Sequence, residues 1–254
     1  MILRTPRPLP GLPIGLSKRT RVTRFHMTRP LCMRALIVSA AFSLIIVSPS
    51  SASNFRQAAV DGATAPAGAI PYFVADGTGR TGYRAGDPEL ATWALAAWQR
   101  SAGPTLRFEQ APENQALLRV YWADPADGQY GEMVPFMVGE RRGAALYIRP
   151  DTAALGPEIA RHTRGDPLLR DSIVYLTCLH ELGHALGLHH TDVFAEIMYS
   201  FQFGGDLVEY FMRYRRQLRS RADIAAVSGL AASDIEHLRA LYSARQPLLR
   251  LPSP

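Results

Sequence analysis

Residues 180–190 read HELGHALGLHH, and EIMYS follows at 196–200. Four of the chain's seven histidines stand in those eleven positions. On a helix, His180 and His184 lie one turn apart on the same side, so both imidazoles can reach one metal ion. Zinc bonds of that type are about 2.0–2.1 Å long. Glu181 is turned about 100° from His180. It can stand beside the metal without binding it and take a proton from an activated water. Gly187 ends the helix, because a glycine there can take the left-handed backbone that turns the chain sharply. The turn brings a further histidine back, and spacing assigns that role to His190, with His189 beside the site. Three protein ligands and one open position are the arrangement of a catalytic zinc site.

The plain alternative is an amphipathic helix with histidines in its core stripe. From this chain's composition, the array His-Glu-His-Gly-His at those spacings arises by chance with a probability on the order of 10⁻⁵. The sequence resembles the H-E-x-x-H-x-x-G-x-x-H signature of the metzincin peptidases. Met198 stands where those enzymes carry their Met-turn. The short step from His190 to Met198, Thr191, and the pair Met198-Tyr199 are similar to the matrixin branch. The resemblance implies an α+β fold: a twisted mixed sheet, an active-site helix, a Met-turn and a C-terminal helix. It implies Zn2+ at His180, His184 and His190, Glu181 as general base and then acid, and Met198 as a floor beneath the metal. Tyr199 is structural in matrixins, the alternative being an oxyanion stabiliser. The implied activity is endopeptidase cleavage of a protein or peptide substrate. A competing reading keeps the zinc fold as a protein-binding module that cuts nothing.

Working outward, the active-site helix opens at Asp166-Pro167, a cap followed by proline, and runs to about Leu186. Leu169, Ile173, Leu176, His180 and His184 form its inward stripe. Cys178 points about 200° away from His180 and reads as a small buried hydrophobe. Upstream, IPYFVAD (70–76) reads as a strand. DPELATWALAAWQR (87–100) reads as a helix capped by Asp87, with Leu90, Trp93, Ala94, Ala97 and Trp98 on one face. TLRFEQ (105–110), ALLRVYWA (116–123), MVPFMV (133–138) and AALYIRP (144–150) read as four more strands. Either of the last two is a candidate for pairing with an extended substrate. Residues 151–165 show no pattern. A last helix begins at Ser233, with Ser233 and Glu236 in a capping-box arrangement.

About 30 residues, 201–230, separate the Met-turn from that helix, more than matrixins usually have. A helix is predicted from about Asp206 to Arg221, with Leu207, Phe211, Tyr214 and Leu218 on one face. Arg213, Arg215, Arg216 and Arg219 lie elsewhere on it. It either pads the domain or walls the substrate pocket, its arginines drawing acidic substrates. Tyr199, Phe201 and Phe203 are the candidate pocket wall.

The net charge of +6 suggests nucleic acid until it is located. Residues 1–52 hold eight basic residues and no acid, leaving 20 basic and 22 acidic residues in 53–254. The basic excess belongs to the leader, so no nucleic-acid partner is expected. Met33-Arg34, an apolar run at 35–47 and SPSSAS read as a signal peptide cleaved near Ala52. The run is shorter than the roughly 20 residues of a membrane span. The expectation is export to a periplasmic or extracellular location, a catalytic domain at 70–245 after a flexible start at 53–69, and a tail at 246–254. An organellar transit peptide is the rival reading of the leader. A monomer is expected.

The chain departs from animal matrixins in several ways. His162 is the sole histidine between 53 and 179, too few for a second, structural zinc. No cysteine-bearing propeptide or haemopexin-like domain is recognisable. DPADGQYGE (124–132) is a candidate Ca2+ loop on its oxygen ligands, with an ordinary turn as the alternative.

Overall fold

The computed structural model describes residues 59–61, 68–124 and 130–245. The leader, most of the segment 53–69, the tail and residues 125–129 of the candidate calcium loop lie outside the described residues.

Five strands form one sheet: β1 (Ile70–Val74), β2 (Phe108–Gln110), β3 (Leu118–Trp122), β4 (Gly131–Val138) and β5 (Arg141–Ile148). Their order is β2-β1-β3-β5-β4. β1, β2, β3 and β5 run parallel, and β4 returns antiparallel to β5. Alternation sets the buried face. Leu118, Val120 and Trp122 stand opposite Ala144, Leu146 and Ile148, and all six are buried. β4 and β5 are longer than the sequence pattern suggested. Val138 pairs with Arg141, so only Gly139-Glu140 make the turn, with Gly139 at φ 60°. Of the two strands left open by the sequence as substrate partners, β5 is interior and β4 forms the edge.

Two long helices pack on the sheet. In α1 (Asp87–Ala102), Leu90, Ala94, Ala97 and Trp98 are fully buried, and the Trp98 indole N–H donates to Leu179 O at 2.9 Å. Asp87, read as the cap from its place before Pro88, does not cap this helix. Gly86 occupies the cap position. The Asp87 carboxylate is instead 1% exposed and paired with Arg170, itself 3% exposed. Arg170 also donates to Gly82 O.

Residues 151–165, patternless in the sequence, contain helix α2 (Pro157–Gly165). It is nine residues long and buries only Ile159 and Thr163, too few anchors to make a visible periodicity. The central helix α3 (Pro167–Ala185) starts as predicted: the Asp166 carboxylate accepts from Leu169 N–H, and Pro167 sits in the first turn. It is buried on nearly every side, which explains why a simple stripe understated its contacts. Cys178 is fully buried and unpaired.

α4 (Leu207–Arg215) is shorter than the predicted 206–221. The chain leaves the helix after Arg215, and Ser220 with Asp223 caps a separate 3-10 turn, Arg221–Ala225. Leu218 is buried from the intervening turn, so it extended the apparent stripe without extending the helix. α5 (Ala232–Arg245) begins one residue before Ser233. The expected capping box is replaced by the Asp234 carboxylate accepting from Ala231 N–H at 2.8 Å.

Within the expected flexible start, residues 59–61 are seated. Val60 N–H donates to Ala185 O, Asp61 N–H to Arg142 O, and the Asp61 carboxylate accepts from Arg142 N–H. Among the described residues, no helix is long and apolar enough to cross a membrane.

Candidate active site

α3 sets His180 and His184 one turn apart. After Ala185 the chain turns at Gly187, whose φ is 97°. A Cβ there would also come within 3.3 Å of Leu241 and Ala59, so the conformation requires glycine and the space around it is tight. The turn returns His190 to the helix. Its Nε2 lies 3.2 Å from His180 Nε2 and 3.1 Å from His184 Nε2. His189 is exposed and stays outside this group.

The other ring nitrogens explain what the three can hold. His180 Nδ1 is 2.7 Å from Ile197 O, and His184 Nδ1 is 3.0 Å from Leu188 O. A carbonyl can only accept, so each Nδ1 carries the proton and each Nε2 presents a lone pair. His190 Nε2 lies 3.1–3.2 Å from both, so the three rings converge on one point where a cation can sit. Burial pushes the His180 imidazolium down to about 3, with His184 adding to it. Burial likewise brings His184 to about 4 and lowers His190. Neutral imidazoles with fixed tautomers suit zinc.

Glu181 is 6% exposed. Burial lifts its carboxyl to about 8; nearby Glu132 adds to this, and a hydrogen bond from the Met133 backbone opposes it. β4 approaches this carboxylate closely at Gly131, where a Cβ would lie 2.6 Å from Glu181 Oε1 and 2.7 Å from Thr177 Cγ2. Nothing in the sequence marked Gly131, because the constraint comes from a helix 46 or more positions away.

Beyond His190 the chain loops back. Thr191 N–H donates to Met198 O and Ser200 N–H to Thr191 O. Met198, 2% exposed, lies against Gly183 of α3, where a Cβ would overlap its sulfur. The Ile197 peptide is held at both ends. Asp234, fully buried, accepts from Ile197 N–H with both oxygens at 3.1 and 3.0 Å. Ile197 O faces His180 and also accepts from the Tyr210 hydroxyl at 3.2 Å. Sequence reasoning found neither Asp234 nor Tyr210. Asp234 sat within a recognisable C-terminal helix pattern, but its partner lies 37 residues away.

A pocket of about 190 Å³ opens beside the histidines. Tyr199 and Phe201 line it, as expected; Phe203 does not, and is 55% exposed. α4 contributes Leu207, Tyr210 and Phe211 to the wall. Its arginines are largely engaged: Arg215 pairs with Asp166 and Arg216 with Glu209, while Arg213 lies over the Tyr210 ring.

Residues 84–207 match the family model described as Matrixin. The chain carries a matrixin domain. No curated protein and no solved structure matches the chain. The matrixin match takes in β2 to β5, α3, the three histidines and Met198, and it ends as α4 begins. Matrixins are zinc metallopeptidases, so the family implies a catalytic zinc and protein or peptide substrates. The converging ring nitrogens of His180, His184 and His190 fit that ion. Zn2+ is the metal implied; the Ca2+ loop rests on residues that are not described.

Proposed function

We propose that this matrixin domain is an exported zinc-dependent endopeptidase in which Glu181 is general base and then general acid. The observation that carries this reading is the buried Glu181 carboxylate next to three imidazoles, with His190 Nε2 3.1–3.2 Å from the Nε2 of His180 and His184, at the mouth of an apolar pocket. His180, His184 and His190 hold the metal, which when bound supplies a Lewis acid that polarises a peptide carbonyl and acidifies water.

The chain's own groups do the rest. β4 is an edge strand, so an extended peptide can add to it through backbone hydrogen bonds. The pocket takes one side chain and thereby fixes the register of the scissile bond. Glu181, held by the Met133 backbone, removes the proton from the attacking water as its oxygen bonds to the carbonyl carbon. The same carboxyl then delivers that proton to the departing amine nitrogen. Burial, which raises its affinity for the proton, suits both halves of the cycle.

The test is cleavage of an unfolded protein by purified residues 53–254, with and without chelator, beside Glu181→Gln. Chelator-sensitive fragments, and a loss of at least about 100-fold in Glu181→Gln, are expected. Zinc-loaded wild type that binds the protein but leaves it uncut, like the variant, would return the chain to a binding module. Export is tested by N-terminal sequencing of the mature protein, which should begin near Ser53; a retained leader would overturn it.

A further inference from the structure

We infer that Tyr210, from the helix following the Met-turn, is a positioning residue for the zinc ligand His180 and acts through the carbonyl of Ile197. The inference rests on the reading of His180 as a ligand. The Ile197 oxygen has two lone pairs. One faces His180 Nδ1 at 2.7 Å, and the other accepts from the Tyr210 hydroxyl at 3.2 Å, which is shared with Glu196 O at 3.1 Å. A carbonyl supported in this way cannot swing, and the imidazole bonded to it keeps its angle. Asp234 fixes the nitrogen end of the same residue, so the two side chains clamp one residue from separate helices.

The hydroxyl is itself well placed. Phe201 and Phe211 meet the Tyr210 ring edge-on at 5.1 and 5.3 Å, and the Arg213 guanidinium lies 4.4 Å from its centroid. The ring is 4% exposed. Burial raises the phenol to about 12, which keeps it a donor at neutral pH. Tyr210 also lines the substrate pocket. One side chain thus meets the substrate and supports the backbone that orients a zinc ligand. It stands in the segment beyond the family match.

Tyr214 provides the control. It lies one turn further along α4, it is buried, and its hydroxyl donates to Val227 O at 2.8 Å, away from Ile197. Zinc affinity is measured by competition with a chromophoric chelator, and Co2+ absorption reports ligand geometry. Tyr210→Phe should bind zinc about 10-fold more weakly with a shifted cobalt spectrum, and its His180 Nδ1–H signal should exchange faster with solvent. Tyr214→Phe should lose stability comparably and match the wild type in all three readouts. If Tyr210→Phe equals the wild type or Tyr214→Phe in zinc affinity and cobalt spectrum, the inference falls alone. If wild type and His180→Ala bind zinc alike, the reading of the ligand falls and takes the inference with it.

Discussion

Gly183 and Met198 are in such close apposition that no side-chain carbon fits between the active-site helix and the Met-turn sulfur. Gly183→Ala must therefore push Met198 aside. Overpacking of this kind costs about 1–3 kcal/mol. Urea unfolding should show that loss, and Gly183→Ala/Met198→Ala should lose less than the sum of the two single changes, since the new methyl would then have room. Additive losses in the double variant would show that the two residues do not compete for space.

Gly187→Ala combines a left-handed backbone, φ 97°, with contacts to Leu241 and Ala59. A loss of about 1–3 kcal/mol is expected. Because the turn aims His190, zinc content should fall as well. Elemental analysis of folded Gly187→Ala with full zinc would separate the turn from the metal site.

The Asp87–Arg170 pair joins α1 to α3 out of contact with water. Removing one partner leaves a buried charge, so Asp87→Ala should cost about 3–5 kcal/mol. Asp87→Leu/Arg170→Met should be clearly more stable than either single change. Equal melting temperatures for the single and double variants would contradict a buried pair.

Acid should destabilise the metal-stripped protein. The folded values of His180 and His184 are lowered from 6.5 to about 3 and about 4. Below pH 6.5 the unfolded chain therefore binds protons that the folded chain refuses, and stability falls as pH drops toward 4. The loss between pH 6.5 and 5 is roughly 2 kcal/mol per histidine. Unfolding curves of chelator-treated protein should show it, and His184→Gln should reduce it by about half. A flat profile across that range would mean the histidines protonate freely in the folded state.

The sequence disclosed whatever depends on neighbours close in the chain. The His180 and His184 spacing, the Gly187 turn, the Asp166-Pro167 start of α3 and the five strands were all legible from local pattern. Longer-range balances were not. Asp87 looked like a cap because Pro88 follows it, yet Arg170, 83 residues away, takes its carboxylate. Ser233 looked like a cap because Glu236 follows it, yet Asp234 does the bonding, upstream to Ala231 and across to Ile197. α2 was hidden because a nine-residue helix with two buried residues leaves little periodicity. Arg215 and Arg216 looked free because their acidic partners, Asp166 and Glu209, stand 49 and seven positions back in the chain.

The open edge of β4 has a gap in it. Ala144 gives its N–H to Leu117, just ahead of β3, so Pro135, which faces Ala144, turns its nitrogen outward, and that nitrogen carries no hydrogen. Of its neighbours on that side, Met133 gives its N–H to Glu181, which leaves Met137 to donate beyond the gap. A second copy of β4 could not zip onto the edge without a break in its ladder, which guards a protein with an exposed strand against self-assembly into fibrils. A short peptide needs only a few bonds and can straddle the break.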